Sequence, residues 1–408
     1  ADILILDEPT AVLTPQEIRS LFKVLRAMRD DGKSIIIITH KLNEVMEISD
    51  RVTVLRKGEH IATVNTSETS EKELTEMMVG EKIDLNINRT VPVNSKLRLS
   101  VSGLTVKNPD GYNVVDNVSF EAFGGEILGI AGIAGSGQKE LLEAIAGLNN
   151  YESGSLIYYH PKKDKPVSFF HKTYKRVMEL ANENAFIDEK GNDIDFTKLS
   201  KKEIKELVNS EKIIFKEDEE IDLKDKTPRE IRELGIRLSF VPEDRLGMGL
   251  VGNMDIVDNM MLRSYRKGKS IFLDRKRPQD LADRIIDELK VNTPDSHTAV
   301  RKLSGGNVQK VLVGREIAAA PAILMTAYPV RGLDINSSYT IYNLLNEQKQ
   351  KGVSVIFVGE DLDVLMALSD RILVLSGGKV SGIVDARTTT KDEIGLLMVQ
   401  SKENGVTE

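Results

Sequence analysis

The chain has 408 residues, of which 40% are hydrophobic and 29% are charged, and its formal net charge is −7. This length accommodates two ordinary domains with sizeable cores, and the composition is typical of a folded globular protein. The acidic balance argues against a nucleic-acid partner, which usually requires a basic face. Without any Cys, disulfides and thiolate metal sites are excluded, and no apolar run reaches the roughly 18 residues of a membrane-spanning helix.

The first predicted elements are two apolar strands that end in polar residues. The run ILIL at 3–6 predicts a buried strand of a parallel sheet, and we expect a chain that opens on such a strand, without Met or a signal peptide, to be part of a longer protein. Asp7 and Glu8 follow directly, at the edge where ligands bind in open α/β sheets, and a carboxylate there suits Mg²⁺. His40 follows the next apolar run, SIIIIT. Loop solvation or helix capping is the alternative role for the acidic pair.

A sequence repeat relates this N-terminal region to the C-terminal region. ILILDEPTAVLTPQE aligns with ILMTAYPVRGLDINS, and ITHKLNEVMEISDRVTVLRKGE aligns with VGEDLDVLMALSDRILVLSGGK. The offset is constant at 320 residues, as for SDR at 49–51 and 369–371, and no gap interrupts the match. We infer a duplicated domain, with part of the first copy at about 1–83, a polar connector at 84–96 and the second copy at 97–408.

The second copy alternates strands and helices. Its strands LRLSVSGLTV and NVVDNVSFEA precede a glycine-rich loop, a helix, a long middle part, the turn LSGGN, another helix and the strand AILMTA. This alternation predicts an α/β fold with a largely parallel sheet. A charged insertion occupies about 160–226, and within it SKKEIKELV predicts a helix with a Ser200–Glu203 capping box. A solvated surface insertion and a regulatory or partner-binding segment are both open roles for it.

The glycine-rich loop GIAGSGQKE departs from the phosphate-binding pattern G-x-x-x-x-G-K-[ST]. Gly132, Gly135 and Gly137 keep the backbone cradle that such loops offer to phosphate. Gln138, however, stands where the pattern has Lys, and Lys139 stands where it has Ser or Thr. One residue along a helix turns a side chain by about 100°, so Lys139 does not replace the missing lysine.

Other polar positions have also changed in the second copy. Glu140 adds negative charge to the first helical turn, which does not suit a triphosphate. The second copy has Ala327, Tyr328 and Glu360 at the positions of Asp7, Glu8 and His40. We predict that the second copy does not hydrolyse a nucleotide by this route, while weak nucleotide binding stays open.

The turn LSGGN precedes the helical text NVQKVLVGREIAAA. Ser304, Gly305, Gly306 and Asn307 lie at the predicted start of that helix, where backbone N–H groups and the helix dipole favour an anion. These four residues are candidates for nucleotide binding, and a plain helix cap is the alternative.

Four pieces of the sequence together resemble the ATPase domains of ABC transporters: ILILDEPT, ITHK, the glycine-rich loop and LSGGN. The more particular resemblance is to the duplicated ATPases of simple-sugar and nucleoside importers, through the altered loop, PEDR at 242–245, RGLD at 331–334 and ELTEMMVGEKI. It covers nearly the whole chain apart from the insertion. It implies tandem ABC-type domains of the P-loop NTPase class, with a largely parallel sheet and a helical subdomain.

The resemblance implies that ATP and Mg²⁺ bind between the copies, each nucleotide lying between the phosphate loop of one copy and the LSGG turn of the other. Asp7 would hold Mg²⁺, Glu8 would orient and deprotonate water, and His40 would contact the γ-phosphate. The Ser304–Asn307 turn would cap this nucleotide, and the loop Gly132–Gln138 would form half of a degenerate second site. Because the glycine loop of the first copy would lie upstream of this sequence, we expect no ATPase activity from these 408 residues alone.

The resemblance also implies partners and a location. These are transmembrane permease subunits and, indirectly, a solute-binding protein, with peripheral attachment at the cytoplasmic face of the membrane and no nucleic acid. Phe240–Leu262 is expected to face the permease, with helical core as the alternative, and Tyr112 either stacks on adenine or is a structural turn residue. Ribose, galactose and nucleosides are equally open as solutes.

Two rival functions differ in class. A duplicated ABC ATPase that acts on ribosomes or DNA is expected to carry basic linkers, zinc cysteines or long heptad arms, whereas this chain has a short neutral connector and no Cys. A non-catalytic scaffold is the second rival, and an intact phosphate loop upstream of this sequence would argue against it.

Overall fold

The fold is given by a computed structural model of the chain. It describes residues 2–10, 13–39, 41–56, 58–80, 87, 89–92, 95–161, 165–166, 186–187, 194, 196–209, 214–215, 218–240, 249–262, 274–318, 321–331, 333 and 335–399. His40, the PEDR segment at 242–245 and Asp334 lie outside the described residues.

The first copy consists of a parallel strand pair, a hairpin and three helices. Strands β1 and β2 pair in parallel, with Asp7 beside Ile38, and β3 and β4 form an antiparallel hairpin. Helix α1 begins with a capping box between Thr14 and Glu17, with Pro15 as its first residue, a combination that favours a helix start there. The elements are β1 (Ile3–Asp7), α1 (Pro15–Asp30), β2 (Ser34–Ile38), α2 (Leu42–Ile48), β3 (Arg51–Arg56), β4 (Glu59–Asn65) and α3 (Glu71–Val79).

The second copy is built on a six-stranded sheet of order β13-β14-β15-β7-β16-β17 and a four-stranded antiparallel sheet of order β12-β8-β5-β6. In the six-stranded sheet every pairing is parallel except that of β16 with β17, which confirms the predicted α/β fold. Its strands are β5 (Leu97–Lys107), β6 (Asn113–Phe123), β7 (Ile127–Gly132), β8 (Ser153–Pro161), β9 (Lys165–Pro166), β10 (Phe186–Ile187), β11 (Ile214–Phe215), β12 (Asp218–Asp222), β13 (Ile236–Phe240), β14 (Ile323–Ala327), β15 (Ser354–Val358), β16 (Arg371–Ser376) and β17 (Lys379–Asp385). Its helices are α4 (Gln138–Ile145), α5 (Lys201–Asn209), α6 (Pro228–Glu233), α7 (Ile256–Met261), α8 (Lys276–Glu288), α9 (Gly305–Ile317), α10 (Ile335–Gln350), α11 (Leu362–Leu368) and α12 (Lys391–Val399).

The repeat is confirmed at the level of single residues. Every helix and strand of the first copy recurs in the second with both ends shifted by 320 residues, so that α1 corresponds to α10 and β4 to β17. Even the irregularity in the hairpin recurs, between Val54 and Leu55 in one copy and between Val374 and Leu375 in the other. The two copies therefore share one backbone design over this region.

The sheet of the second copy is covered on both faces. In β15, Val355 and Phe357 pack into one hydrophobic cluster, whereas Ile356 and Val358 face the cluster formed with the antiparallel sheet and α4. This alternation follows from the two-residue period of a strand. In the first copy the positions that match this second cluster are exposed, as Ile36 at 50% shows against Ile356 at 0%.

The two copies meet at equivalent residues. Asn43 Nδ2 donates to Asp363 Oδ2 at 3.1 Å across a separation of 320 residues, so these two residues are the same position of the repeat. Helix α1 contacts α12, and their counterparts α10 and α3 also contact each other. An interface in which each patch pairs with its own equivalent is isologous, and a pseudo-two-fold axis therefore passes near Asn43 and Asp363.

The connector is anchored on the second copy. Lys349 Nζ donates to Asp370 Oδ1 at 2.8 Å and to the Thr90 carbonyl at 2.5 Å, and the Lys349 side chain is 1% exposed. Arg387 Nη2 also reaches Asp370, at 3.2 Å, and Arg89 donates to backbone carbonyls at the end of α11. The sequence predicted only that the connector is polar. In the structure, the Thr90 carbonyl of the connector contacts the buried ion pair between Lys349 and Asp370.

The charged insertion emerges from the antiparallel sheet. Strands β8 and β12 pair with Pro161 beside Asp218, so both margins of the predicted insertion at 160–226 contain paired strand residues. The predicted capping box is confirmed, since Ser200 N–H donates to Glu203 Oε2 at 2.7 Å and Glu203 N–H donates to Ser200 Oγ at 3.3 Å. No helix in the described part of the chain combines the length and the apolar character needed to cross a bilayer.

Candidate functional site

The turn after β1 carries the predicted acidic pair. Asp7 is the last residue of β1 and is exposed, while Glu8 is half-buried. Glu8 has a φ of 46°, and its N–H donates to the Ile38 carbonyl at 2.9 Å. Left-handed backbone is uncommon for a non-glycine residue and tends to occur at functional sites, where the surroundings hold it in place. The two carboxylates thus lie at the carboxyl end of the strand pair, as predicted from the sequence.

The same turn persists in the second copy without its acidic residues. Tyr328 has a φ of 53°, and its N–H donates to the Val358 carbonyl at 2.9 Å. Ala327 before it is fully buried. The second copy keeps the unusual backbone of this turn after losing the side chains predicted to use it.

Acidic groups surround Tyr328. Burial raises the pKa of the Tyr328 hydroxyl, and the nearby charges of Glu360 and Glu140 raise it further. Arg331 Nε lies 3.6 Å from Glu360 Oε1 in a half-exposed ion pair. Whether the charges of Glu360 and Glu140 weaken the binding of a nucleoside triphosphate here stays a prediction.

The glycine loop keeps its backbone shape. Gly135 and Gly137 have φ values of 86° and 92°, which glycine adopts without strain. A Cβ on Gly137 would lie 2.2 Å from the Val114 carbonyl oxygen, so no larger residue fits there. Gly132 is similarly confined, because a Cβ would lie 2.8 Å from the Leu375 carbonyl oxygen.

The Gln138 side chain turns into the loop instead of away from it. The residue is 3% exposed, and its Nε2 donates to the Ile133 carbonyl at 3.1 Å. Lys139 extends along α4, where its Nζ lies 3.8 Å from Glu143 Oε1, in agreement with the expectation that it does not replace the missing lysine. Whether Gln138 contacts nucleotide stays a prediction.

The LSGGN turn caps helix α9. Ser304 is the N-cap residue, and its Oγ accepts from Asn307 Nδ2 at 2.9 Å. Asn307 Oδ1 in turn accepts from the Asn292 N–H at 3.0 Å. Ser304 and Gly305 are exposed, while Gly306 is half-buried. The turn is therefore capped and still accessible, so both the structural and the binding roles are compatible with it.

Helix α9 is also tied to the turn that follows β14. Gln309 is fully buried, and its Nε2 donates to the Pro329 carbonyl at 2.5 Å. Pro329 follows Tyr328 directly. The LSGGN helix and the altered acidic turn of the second copy are thus held together.

Residues 249–262 contain the described part of the expected permease-facing segment. Asn259 is fully buried, where its side chain accepts from the Val251 N–H and donates to the Val251 carbonyl. Val251, Met254 and Leu262 are between 37% and 42% exposed. Asn259 therefore fixes the loop, while apolar side chains beside it face outward. Tyr112, in the turn between β5 and β6, is 72% exposed.

Sequence reasoning missed three residues beside the acidic turn. Thr10 Oγ1 donates to Glu44 Oε2 at 2.6 Å, and Lys41 Nζ lies 3.3 Å from both Glu44 Oε1 and the Thr10 carbonyl. The signal that could have found them is the repeat itself. The second copy has Val330, Asp361 and Val364 at these positions.

Several known proteins resemble the chain over almost its whole length. It is 34% identical over 407 residues to the nucleoside import ATP-binding protein NupA of Lactococcus lactis subsp. cremoris, matching 99% of this chain and 68% of that protein. It is 36% identical over 406 residues to the guanosine import ATP-binding protein NupO of Bacillus subtilis, with the same coverage. It is 32% identical over 404 residues to the ribose import ATP-binding protein RbsA 1 of Streptomyces avermitilis, of which it covers 64%. The chain thus spans about two thirds of the length of these relatives.

Solved structures show the same fold. A nucleotide-free ATP-binding cassette of an ABC transporter superposes with a TM-score of 0.50 at 17% identity, over 74% of this chain and 95% of that one. A dimeric ATP-binding cassette with ADP and Pi also gives 0.50, at 19% identity over 71% of this chain and 100% of the other. No protein-family model matches the chain. With these relatives and this fold, the chain belongs to the family of ABC-type ATP-binding proteins of nucleoside and simple-sugar importers.

Proposed function

We propose that the chain is part of the energy-coupling subunit of an importer, and that the full-length subunit hydrolyses ATP at one composite site, whose phosphate loop is contributed from upstream of this sequence. In this site Asp7, Glu8 and His40 belong to the first copy, and the Ser304–Asn307 turn belongs to the second. The site around Tyr328 is degenerate and has a structural or regulatory role. The solute is a nucleoside or a simple sugar, as the names of the relatives suggest.

One observation carries this proposal. The two copies share the same backbone at the acidic turn, including the left-handed residue and its hydrogen bond, yet only the first copy has carboxylates there. A fold that needed the carboxylates for stability would have kept them in both copies. Their presence in one copy alone therefore supports a chemical role for Asp7 and Glu8.

The residues at the first turn fit Mg²⁺ and ATP. The described residues contain no cluster of three or more acidic or histidine side chains that could hold a metal ion by themselves. An exposed Asp7 at the end of β1 suits Mg²⁺, which commonly takes one or two protein carboxylates and completes its shell with water and phosphate oxygens. Bound Mg²⁺ neutralises phosphate charge. Glu8 accepts a proton from the attacking water, and the N–H groups at the start of α9 receive the phosphates.

The apolar residues on 249–262 support a membrane partner. Val251 and Met254 present apolar side chains on a loop that Asn259 holds in place, Leu262 does so at the end of α7, and exposed apolar surfaces often mark interaction sites. We assign this surface to the transmembrane permease, which in turn places the subunit peripherally at the cytoplasmic face of the membrane. A solute-binding protein would act only through that permease.

The test is a pair of substitutions at equivalent positions. In the full-length protein assembled with its membrane partner, Glu8→Gln is expected to lower ATP turnover by about 100-fold or more, because it removes the general base. Tyr328→Phe, at the same position of the other copy, is expected to leave turnover unchanged. Turnover that survives Glu8→Gln and is lost with Tyr328→Phe would overturn the assignment of the working site.

A further inference from the structure

A buried polar cluster joins the turns that follow β1 and β2. Thr10 is 1% exposed and Glu44 is 7% exposed, and the hydrogen bond between their side chains is 2.6 Å long. Lys41 Nζ lies 3.3 Å from Glu44 Oε1 and donates to the Thr10 carbonyl, also at 3.3 Å. The cluster thus fastens the Asp7–Thr10 turn to the start of α2.

Lys41 stands at a position that does not favour it locally. It occupies the N-cap of α2 without a side-chain cap hydrogen bond to the described residues, although Ser, Thr, Asp and Asn are preferred there. The equivalent Asp361 does cap its helix, since its Oδ1 accepts from the Asp363 N–H at 2.8 Å. A residue that breaks a local rule in this way is often kept for function.

The second copy shows that the fold does not require this cluster. With Val330, Asp361 and Val364 in these positions, the second copy forms the same strands and helices with the same bounds. The cluster is absent from the copy that also lacks the two carboxylates of the acidic turn. Thr10, Lys41 and Glu44 therefore occur in the copy that has the acidic pair, and the fold of the domain does not require them.

We propose that Thr10, Lys41 and Glu44 are positioning residues that hold the Asp7–Glu8 turn in a fixed relation to the segment carrying His40. Lys41 follows His40 directly in the sequence, and Thr10 follows Glu8 by two residues. The cluster therefore joins the two segments just after their predicted reacting groups. A displacement of about 1 Å in a catalytic group can cost about 100-fold in rate. This inference rests on the function proposed above.

The decisive variant, made in the full-length protein assembled with its membrane partner, gives the first copy the residues of the second copy at these three positions. Thr10→Val/Lys41→Asp/Glu44→Val replaces all three members together, so no buried partner is left unpaired, and the second copy already folds with these residues. We expect the variant to unfold close to the wild-type temperature. We expect its kcat for ATP to fall about 10- to 100-fold with a much smaller change in KM, as the loss of an alignment made in the transition state predicts.

Single substitutions provide the controls. Thr10→Ser keeps the hydroxyl and should retain kcat, whereas Thr10→Val should lose it. Glu44→Gln is matched by Glu47→Gln, because Glu47 lies on the same helix in a half-exposed ion pair with Arg26 and should have no effect on kcat. If the triple variant does not fold, the comparison of Thr10→Ser with Thr10→Val decides.

The outcomes separate this inference from the proposed function. A folded triple variant with wild-type kcat, or equal kcat values for Thr10→Ser and Thr10→Val, would overturn the positioning role. Loss of kcat in Glu8→Gln alongside such a result would leave the proposed site intact. If Glu8→Gln keeps full turnover, the proposed site is wrong and the positioning role fails with it.

Discussion

The ion pair between Lys349 and Asp370 allows a controlled test of burial. The Lys349 side chain is 1% exposed and that of Asp370 is 7% exposed. In α6, which also belongs to the second copy, Arg229 Nε lies 2.9 Å from Glu233 Oε1, and these side chains are 58% and 60% exposed. The second copy thus contains one buried and one exposed ion pair.

We predict that Asp370→Asn lowers the free energy of unfolding of the second copy by about 3–5 kcal/mol, because it leaves the Lys349 ammonium buried without its carboxylate. Asp370 Oδ2 also accepts from the Ile127 N–H at 2.9 Å, and the asparagine oxygen can keep that bond, so the loss reports the charge. Glu233→Gln should leave stability nearly unchanged, because exposed ion pairs are screened by water and salt.

The pH dependence of this cost has a definite sign. Burial lowers the pKa of Lys349, while Asp370 raises it in part. Between the lowered pKa and the ordinary value for lysine, the unfolded chain binds more protons than the folded chain, so stability rises with pH in that window. Removing the Asp370 charge lowers the pKa further and widens the window. The destabilisation by Asp370→Asn should therefore be largest near pH 7 and shrink towards pH 10.

The assay is urea unfolding followed by circular dichroism, with hydrogen exchange of peptides from β16 to assign the change to the second copy. Equal costs for Asp370→Asn and Glu233→Gln, or a cost that grows as the pH rises, would refute the reasoning.

Two further predictions concern the degenerate loop and the contact between copies. Adding Gln138→Lys/Lys139→Ser to Glu8→Gln should not restore ATP hydrolysis in single-turnover assays, because the second copy lacks the carboxylates at its turn; recovered hydrolysis would contradict this. In a chain without native Cys, Asn43→Cys/Asp363→Cys should be joined within one polypeptide by a short bis-maleimide, seen as a shift in gel mobility. A reagent that modifies both sites without bridging them would contradict the pseudo-two-fold contact.

The sequence was sufficient for the features that depend on local pattern. Apolar runs such as ILIL located the strands, the 320-residue offset predicted which elements recur, and Ser200 with Glu203 predicted a helix start that the structure confirms. The apolar runs and the capping box lie within a few residues of the features that they predict. The recurring elements are found by aligning the sequence with itself.

Side-chain contacts between distant segments could not be predicted in the same way. Nothing in the local sequence indicates that the Gln138 amide donates to the Ile133 carbonyl of its own loop. Thr10 and Glu44 are 34 residues apart, and nothing in either local sequence indicates that they meet. Polar residues are usually solvated, so a buried polar contact becomes visible only when the tertiary fold brings its partners together.

The anchored connector limits how far the two copies can separate. Helix α3 ends at Val79, and Arg89 is already bound to the second copy, so the nine chain steps from Gly80 to Arg89 span at most about 30 Å. The connector meets the second copy close to Asp370. The carboxylate of Asp370 accepts from the N–H of Ile127, the first residue of the strand that leads to the glycine loop. A chain of hydrogen bonds through Thr90, Lys349 and Asp370 thus links the connector to the base of the strand that carries the second copy's loop.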